Sequence, residues 1–240
     1  MAITKEYRAE LVSLLVEDWV KDDPVTLYTY RSDGLTLYTA PPMGVVFPGN
    51  RNELVEVVKK LHSRKIPFVP RGAGTGLSGG AVPREQSVII EMARFKEIHD
   101  IDWLNRTITV GPGVINLRIS EKVQPDGYHY VPDPSSQKAC TIGGNVAENS
   151  GGPHTLKYGV TVNHVLGLEM VLPDGEVVEL GGKTFPIAGP DMLALVIGSE
   201  GTFGIVTKIT CRLTPNPEKA ITLLGVFDSV HKACEGVSAI

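Results

Sequence analysis

The chain has 240 residues, 42% hydrophobic and 21% charged, a balance normal for a globular protein with apolar mass for one large or two small domains. A formal net charge of −4 argues against a nucleic-acid partner, and no run of about 18 apolar residues is present to span a membrane. Cys140, Cys211 and Cys234 are odd in number and widely spaced, with no Cys-x-x-Cys pair, so neither a disulfide framework nor a metal site is indicated.

Met1 to Val20 carries Glu6, Glu10, Glu17 and Asp18 among its apolar residues. It lacks the basic start and unbroken apolar core of a signal peptide, which makes a cytoplasmic location the expectation. Leu11, Leu14, Leu15 and Val16, with Trp19 beyond, predict an amphipathic helix over Tyr7 to Val20. Tyr28 to Met43 reads as an extended arm leading into a strand at Val45-Val46-Phe47. Asn50 is placed to cap a helix from about Arg51 to Ser63, with Leu54, Val57, Val58 and Leu61 on its inner face. Glu53 sits where a capping-box acid belongs, and Arg64 and Lys65 suit the negative end of the helix dipole. Ile66 to Val69 then reads as a short buried strand.

That strand runs into Pro70-Arg71-Gly72-Ala73-Gly74-Thr75-Gly76-Leu77-Ser78-Gly79-Gly80, where every second or third residue lacks a β-carbon. Glycines permit positive φ and close approach of a ligand to the main chain, so successive N–H groups can converge on an anion, with the charge of Arg71 beside them. Gly74-x-Gly76-x-x-Gly79 satisfies the dinucleotide fingerprint as a bare pattern, but that fingerprint needs a helix directly after it. Here Pro83 and the apolar strand Val88-Ile89-Ile90 follow too soon for a crossover helix, so a Rossmann reading fails. A Walker loop fails too, for want of a lysine.

Further strands are predicted at Ile98 to Ile101 and Thr107 to Val110, joined by a turn at Trp103 to Arg106. Ile115, Ile119 and Val123 then recur at helical spacing up to Pro125. The prolines of Tyr130-Val131-Pro132-Asp133-Pro134-Ser135-Ser136 fix an extended backbone. Cys140 to Gly152 is a second glycine region of small residues, the composition needed where a flat ring lies against the main chain; the plainer alternative is a short helix between two tight turns. Val165 to Leu172 and Glu176 to Leu180 flank Pro173-Asp174-Gly175, a hairpin signal. A third glycine cluster, Gly198 to Gly204, opens a strand over Ile205 to Leu213. Three separated backbone-exposing segments imply a long ligand.

Taken in order, Pro70 to Gly80, Pro132-Asp133-Pro134-Ser135-Ser136, Cys140-Thr141-Ile142-Gly143-Gly144-Asn145, Ser150-Gly151-Gly152-Pro153-His154, Lys157-Tyr158-Gly159 and Gly198-Ser199-Glu200-Gly201-Thr202 resemble the FAD-linked oxidases. Within that superfamily, which includes vanillyl-alcohol oxidase and p-cresol methylhydroxylase, the sequence is most similar to the FAD-binding subunits of glycolate oxidases and to D-lactate dehydrogenases. The resemblance covers about Val45 to Pro215. It implies an α+β fold: a two-subdomain FAD-binding domain of the p-cresol methylhydroxylase type, not Rossmann. The subdomains would span about 45–101 and 102–216, after an N-terminal helix and arm over 1–44 and before the start of a truncated substrate domain at 217–240.

By the family's pattern the FAD pyrophosphate would be received by Arg71, Gly72, Ala73, Gly74, Thr75, Gly76, Leu77, Ser78, Gly79 and Gly80. Pro134, Thr141, Gly143, Gly144, Asn145, Ala147 and Gly151 would lie along the flavin and its ribityl chain, and Glu200, Gly201, Ile205 and Val206 would bind on the far subdomain's side. Non-covalent FAD is expected, because the glycine loop lacks the histidine that commonly tethers flavin in covalent members. The reaction implied is oxidation of a small-molecule 2-hydroxy acid of the glycolate or D-lactate type, with partner subunits or an electron carrier as acceptor and attachment to the inner face of a membrane through them left open. Another alcohol substrate, or a non-catalytic FAD-binding subunit, are the alternatives.

His154 is the one histidine in a motif and is expected to hydrogen-bond within the site. His62, His164 and the small buried Cys140 are expected to be structural. Catalytic residues are not identified, and a metal is not expected within these residues. Ile221 to Phe227 resembles the first strand of the family's substrate domain, and Ser229 to Ile240 begins an amphipathic helix through Val230, Ala233, Val237 and Ile240.

Overall fold

The computed structural model describes residues 3–183 and 189–240. Helix α1 (Lys5–Leu15) starts at Thr4, whose hydroxyl accepts the Tyr7 N–H at 3.3 Å, and it buries Tyr7, Leu11 and Leu15 four residues apart on one face. The helix expected to reach Val20 stops at Val16, where φ is 64°. That break turns the chain so that β1 (Val20–Lys21) pairs antiparallel with Val45 and Val46, and Val20 enters the core. Arg8 holds the turn through Glu17 at 2.7 Å and Asp22 at 3.1 Å.

The expected extended arm begins instead with α2 (Pro24–Thr29), capped by Asp23 accepting from the Thr26 N–H, before an irregular stretch. Proline at the first position and aspartate before it are what a helix start requires. β2 (Gly44–Val46) leads to α3 (Arg51–Ser63), and β3 (Phe68–Arg71) and β4 (Val88–Glu91) follow. The sheet order is β1-β2-β4-β3, with β2 and β3 both parallel to β4. Asn50 caps α3 through the Glu53 N–H, and the Glu53 carboxylate reaches back to the Gly49 N–H at 2.7 Å. Leu54, Val57, Val58 and Leu61 are fully buried, each worth about 1.5–3 kcal/mol in transfer terms. Between β3 and β4 lies the glycine loop and no helix, so the dinucleotide topology is absent from this connection.

The second sheet is antiparallel throughout. Its strands are β5 (Ile98–Asp102), β6 (Thr107–Val110), β8 (Val165–Val171), β9 (Val177–Gly181) and β10 (Ile205–Arg212), in the order β5-β6-β10-β8-β9. β10 alternates Ile205, Thr207, Ile209 and Cys211 inward, the period of a strand with one buried face. α4 (Asn116–Val123) leads to β7 (Tyr128–His129), which pairs with β11 (Thr214–Pro215). Cys140 to Gly152 contains α5 (Ile142–Glu148), so the short-helix reading of that region holds. α6 (Thr155–Tyr158) and α7 (Met192–Val196) are single turns or little more. At the hairpin turn, Gly175 takes φ 90° and Asp174 accepts the Glu176 N–H.

Three features differ from the sequence reading of the chain's divisions. β5 belongs to the second sheet, so the changeover falls between Met92 and Glu97, ahead of Ile101. α1 and β1 pack into the first core, Tyr7, Leu11 and Val20 against Leu54 and Ile90, so a division at residue 44 cuts through that core. Ile221 to Phe227 forms no strand: no neighbouring strand pairs with it among the described residues, and its apolar side chains are exposed. The final helix, α8 (Val230–Ala239), forms as expected with Ser229 as its cap, and none of its residues is buried. Val171 and Ile205 of the second sheet reach into the first core and join the halves.

Candidate functional site

A cavity of about 350 Å³ opens between the two sheets, walled by the loop after β3, by α5 and the turn before it, and by the residues leading into β10. Every site residue expected from the sequence lines it except Gly79. Gly79 instead donates its N–H to the Asp33 carboxylate at 3.0 Å, and its role is to fasten the loop. The other Asp33 oxygen accepts the Leu35 and Thr36 N–H groups, and the Gly34 N–H donates to the Gly76 carbonyl at 3.0 Å. Asp33 and Gly34 lie within what the sequence suggested was a plain arm. Only an Asp-Gly pair hinted at more.

Arg71 also departs from expectation. Its side chain is buried, and Nη1 donates to the carbonyls of Ser32 at 2.8 Å and Ala81 at 3.0 Å, so the guanidinium clamps both flanks of the loop rather than standing free beside it. Burial pulls its pKa below the ordinary arginine value, opposed by nearby Glu91, Tyr30 and Asp33. Gly74 takes φ 65°, and a β-carbon there would collide with that guanidinium. With side chains doing the anchoring, the loop's own donors stay open. None of the N–H groups from Gly72 to Ser78 donates to another protein group among the described residues. Unpartnered main-chain donors of this density are uncommon away from ligand sites.

On the facing wall, Thr141 precedes α5 and its hydroxyl is buried without a partner. A β-carbon on Gly72 would strike that hydroxyl, and one on Gly143 would strike Pro112, so these two glycines let the loop and α5 approach their neighbours closely. Asn145 lines the cavity, but its side chain is committed elsewhere. Its oxygen accepts from Asn116 at 2.9 Å, and its amide donates to Ser150 at 3.3 Å and to the Cys140 sulfur at 3.4 Å. Asn116 also donates to the Pro132 carbonyl at 3.2 Å, tying the proline segment to α5.

At the far end, the turn before β10 rests on α5. The Gly198 N–H bonds the Val146 carbonyl at 2.9 Å and the Glu200 N–H bonds the Ala147 carbonyl at 2.8 Å. Glu200 at φ 55° and Gly201 at φ 73° are both left-handed, a cost of order 1 kcal/mol for the glutamate that the surrounding bonds hold in place. Glu148, which the sequence did not single out, points its carboxylate toward Gly80 beside Glu200. Burial raises the Glu148 pKa, and the charges of Glu200 and Asp33 add to the effect.

Among the described residues no histidine lines the cavity. His154, expected to bond within the site, is exposed and pairs with Asp133 at 2.8 Å. His164 is buried as a structural residue, its Nε2 against the Tyr158 carbonyl at 2.8 Å, and burial lowers its pKa. Cys140 is buried on the cavity wall.

Residues 42–181 match a family described as FAD binding domain. With more than half of its length inside that match, the chain belongs to this family of FAD-binding domains, and its α+β fold is of the p-cresol methylhydroxylase type. Among curated proteins it is 50% identical over 204 residues to the glycolate oxidase subunit GlcD of Escherichia coli, covering 85% of this chain and 41% of that protein. The Bacillus subtilis subunit of the same name is 40% identical over 239 residues, 99% of this chain and 51% of that one. A D-lactate dehydrogenase of Archaeoglobus fulgidus is 37% identical over 85% of this chain and 47% of its own. The chain thus spans about half the length of the curated relatives it matches. Among solved structures, an alkyldihydroxyacetonephosphate synthase superposes with TM-score 0.80 at 24% identity, covering 90% of this chain and 41% of that one, a likeness of fold. The residues present fit FAD: open N–H donors for a diphosphate, an unpartnered hydroxyl, and two lining glycines, Gly76 and Gly144, where an added β-carbon would meet no protein atom closer than 3.6 Å.

Proposed function

We propose that this chain is the FAD-holding part of an oxidoreductase that acts on a 2-hydroxy acid of the glycolate or D-lactate type. The observation that carries the reading is the run of open main-chain donors from Gly72 to Ser78 facing a cavity between the two sheets. Kinship with glycolate oxidase subunits and D-lactate dehydrogenases supports the substrate class. Bound FAD would supply the acceptor for the hydride from the substrate's α-carbon, and the hydroxyl proton would go to a protein base.

The chain's own residues bind and orient. Gly72 to Gly80 receive the pyrophosphate, with Arg71 holding the loop open and lending its charge from beneath, and Gly79 acting through its bond to Asp33. Pro134, Thr141, Gly143, Gly144, Asn145, Ala147 and Gly151 lie along the flavin and ribityl chain, the Thr141 hydroxyl supplying a bond. Glu200, Gly201, Ile205 and Val206 close the other end. Binding is non-covalent: the cavity's one thiol, Cys140, is turned to Asn145, and no histidine lines it among the described residues. The cavity's basic side chain, Arg71, is engaged by the Ser32 and Ala81 carbonyls, so the anchor for the substrate carboxylate lies beyond the cavity's described lining, and partner subunits or an electron carrier accept the electrons.

The test has two stages. Purified protein should carry the visible absorption bands of bound flavin, and acid precipitation should release the flavin into the supernatant. Anaerobic mixing of the loaded chain with glycolate or D-lactate should leave those bands unbleached, and bleaching should appear when the remainder of a full-length relative is supplied. A colourless protein that takes up no FAD would overturn the reading.

A further inference from the structure

A second cavity, of about 340 Å³, opens at the seam between the start of α3, the connection from Arg94 to His99, and strands β8 and β10. It shares no lining residue with the first. Its size falls at the lower end of small-molecule sites, roughly 300–1,000 Å³. In a chain with a net charge of −4, four cations gather here: Arg51, Arg94, Lys96 and Lys208.

The carboxylates do not match them. Glu169 on β8 is 5% exposed, and one of its oxygens accepts from both Arg51 and Lys208, each at 3.1 Å. Its other oxygen is taken by the Thr207 hydroxyl at 2.8 Å. Burial alone would raise the Glu169 pKa, but the bonds from Thr207 and Lys208 outweigh it and hold the group below its ordinary value. It is therefore a fixed anion shared between two cations. Arg94 lies over the Trp19 ring at 4.0 Å, donates to the Phe47 carbonyl, and stands 3.5 Å from Glu53, whose charge the Gly49 and Asn50 donors also use. Glu97 faces His99 at 3.6 Å. Lys96 is exposed and has no carboxylate partner among the described residues.

A solvated seam of surface ion pairs would look different: pairs would be exposed and matched one to one. Here a buried carboxylate orients two half-exposed cations from opposite halves of the molecule, Arg51 from the first sheet's helix and Lys208 from the second sheet, toward one space. We propose that this cavity is a binding site for a small multiply charged anion, of carboxylate or phosphate chemistry, which Lys96, Arg51 and Lys208 hold and which thereby clamps the two sheets together. The site stands independently of the FAD assignment.

The test is calorimetric titration of the FAD-loaded full chain with inorganic phosphate and, separately, with malonate, at constant ionic strength made up with chloride. FAD occupies the glycine loop, so heat from anion binding there is removed. Saturable binding at one site per chain, weakened at least about fivefold by Lys96→Gln and by Arg51→Gln, is expected. Lys96→Gln should leave the melting temperature in chloride unchanged, since that side chain has no hydrogen-bond or ion-pair partner among the described residues. Response to phosphate alone assigns phosphoryl ligands, and to malonate alone carboxylates. No saturable heat with either anion, or binding unchanged in both variants, would overturn the site.

Discussion

Two glycine-rich walls face each other across the first cavity, and they reach their shapes by opposite means. The loop from Gly72 to Gly80 makes almost no internal main-chain bonds, and side chains from outside it, Arg71 and Asp33, hold its ends. The segment from Thr141 to Glu148 is a helix whose main chain is largely satisfied within itself and by the turn at Gly198 to Glu200. Where glycine serves an open loop, its value is the donor left exposed. Where it serves a helix, its value is the missing β-carbon, as at Gly143 against Pro112. Damage to the loop should therefore appear in cofactor binding, and damage behind the helix in stability.

The sharpest break is Gly74→Val. A branched side chain at φ 65° collides with the Arg71 guanidinium and closes the loop, and FAD affinity should fall by more than about a hundredfold, read by flavin fluorescence titration. Asp33→Ala comes next: three N–H groups lose a charged acceptor, and FAD should bind roughly ten- to a hundredfold more weakly while circular dichroism stays native. Equal loss of fold and binding in Asp33→Ala would contradict the anchoring role.

Behind the helix, Asn116→Ala strands the Asn145 oxygen and the Pro132 carbonyl and should cost about 1–3 kcal/mol in urea unfolding, with FAD affinity changed far less than in the loop variants. A larger effect on FAD than on stability would erase the contrast between the two walls.

Glu91 titrates under the loop, opposite Arg71 in the parallel register, and burial raises its pKa to about 7 despite the pull of Arg71. Its folded pKa lies above its ordinary value, so the folded state binds the extra proton. The stability this represents is fully present below about pH 4.5 and is lost as pH rises through about 7. Unfolding free energy should therefore decline across that window by on the order of 2–3 kcal/mol, and Glu91→Gln should flatten the decline. An unchanged pH profile in the variant would rule Glu91 out as its source. Gly79→Ala should show the smallest effect: nothing lies near an added β-carbon, so only the strain of φ 91° is felt, of order 1 kcal/mol, with FAD retained.

Local signals decided much of this protein before any tertiary contact was considered. Asn50, Glu53 and the spacing of Leu54, Val57, Val58 and Leu61 specify α3 because caps and helical period act within a few residues. Pro173-Asp174-Gly175 specifies the β8–β9 hairpin for the same reason, and the missing crossover helix after Gly79 excluded a dinucleotide fold. The glycine pattern likewise marked the cavity wall. Asp23-Pro24 carried a helix start that the sequence reading passed over, though its signal was also local.

What lay beyond sequence was decided by partners distant along the chain. α1 stops at Val16 because Val20 is needed beside Val46, and β5 joins the second sheet because β6 offers it an edge. Ile221 to Phe227 has strand composition but no edge to join among the described residues, and a strand's hydrogen bonds, unlike a helix's, all lie outside itself. Arg71 illustrates the limit most directly. Composition places a cation next to a loop built for an anion, but whether its donors meet a ligand or the carbonyls of Ser32 and Ala81 depends on residues 39 and 10 positions away, which only the folded chain brings to it.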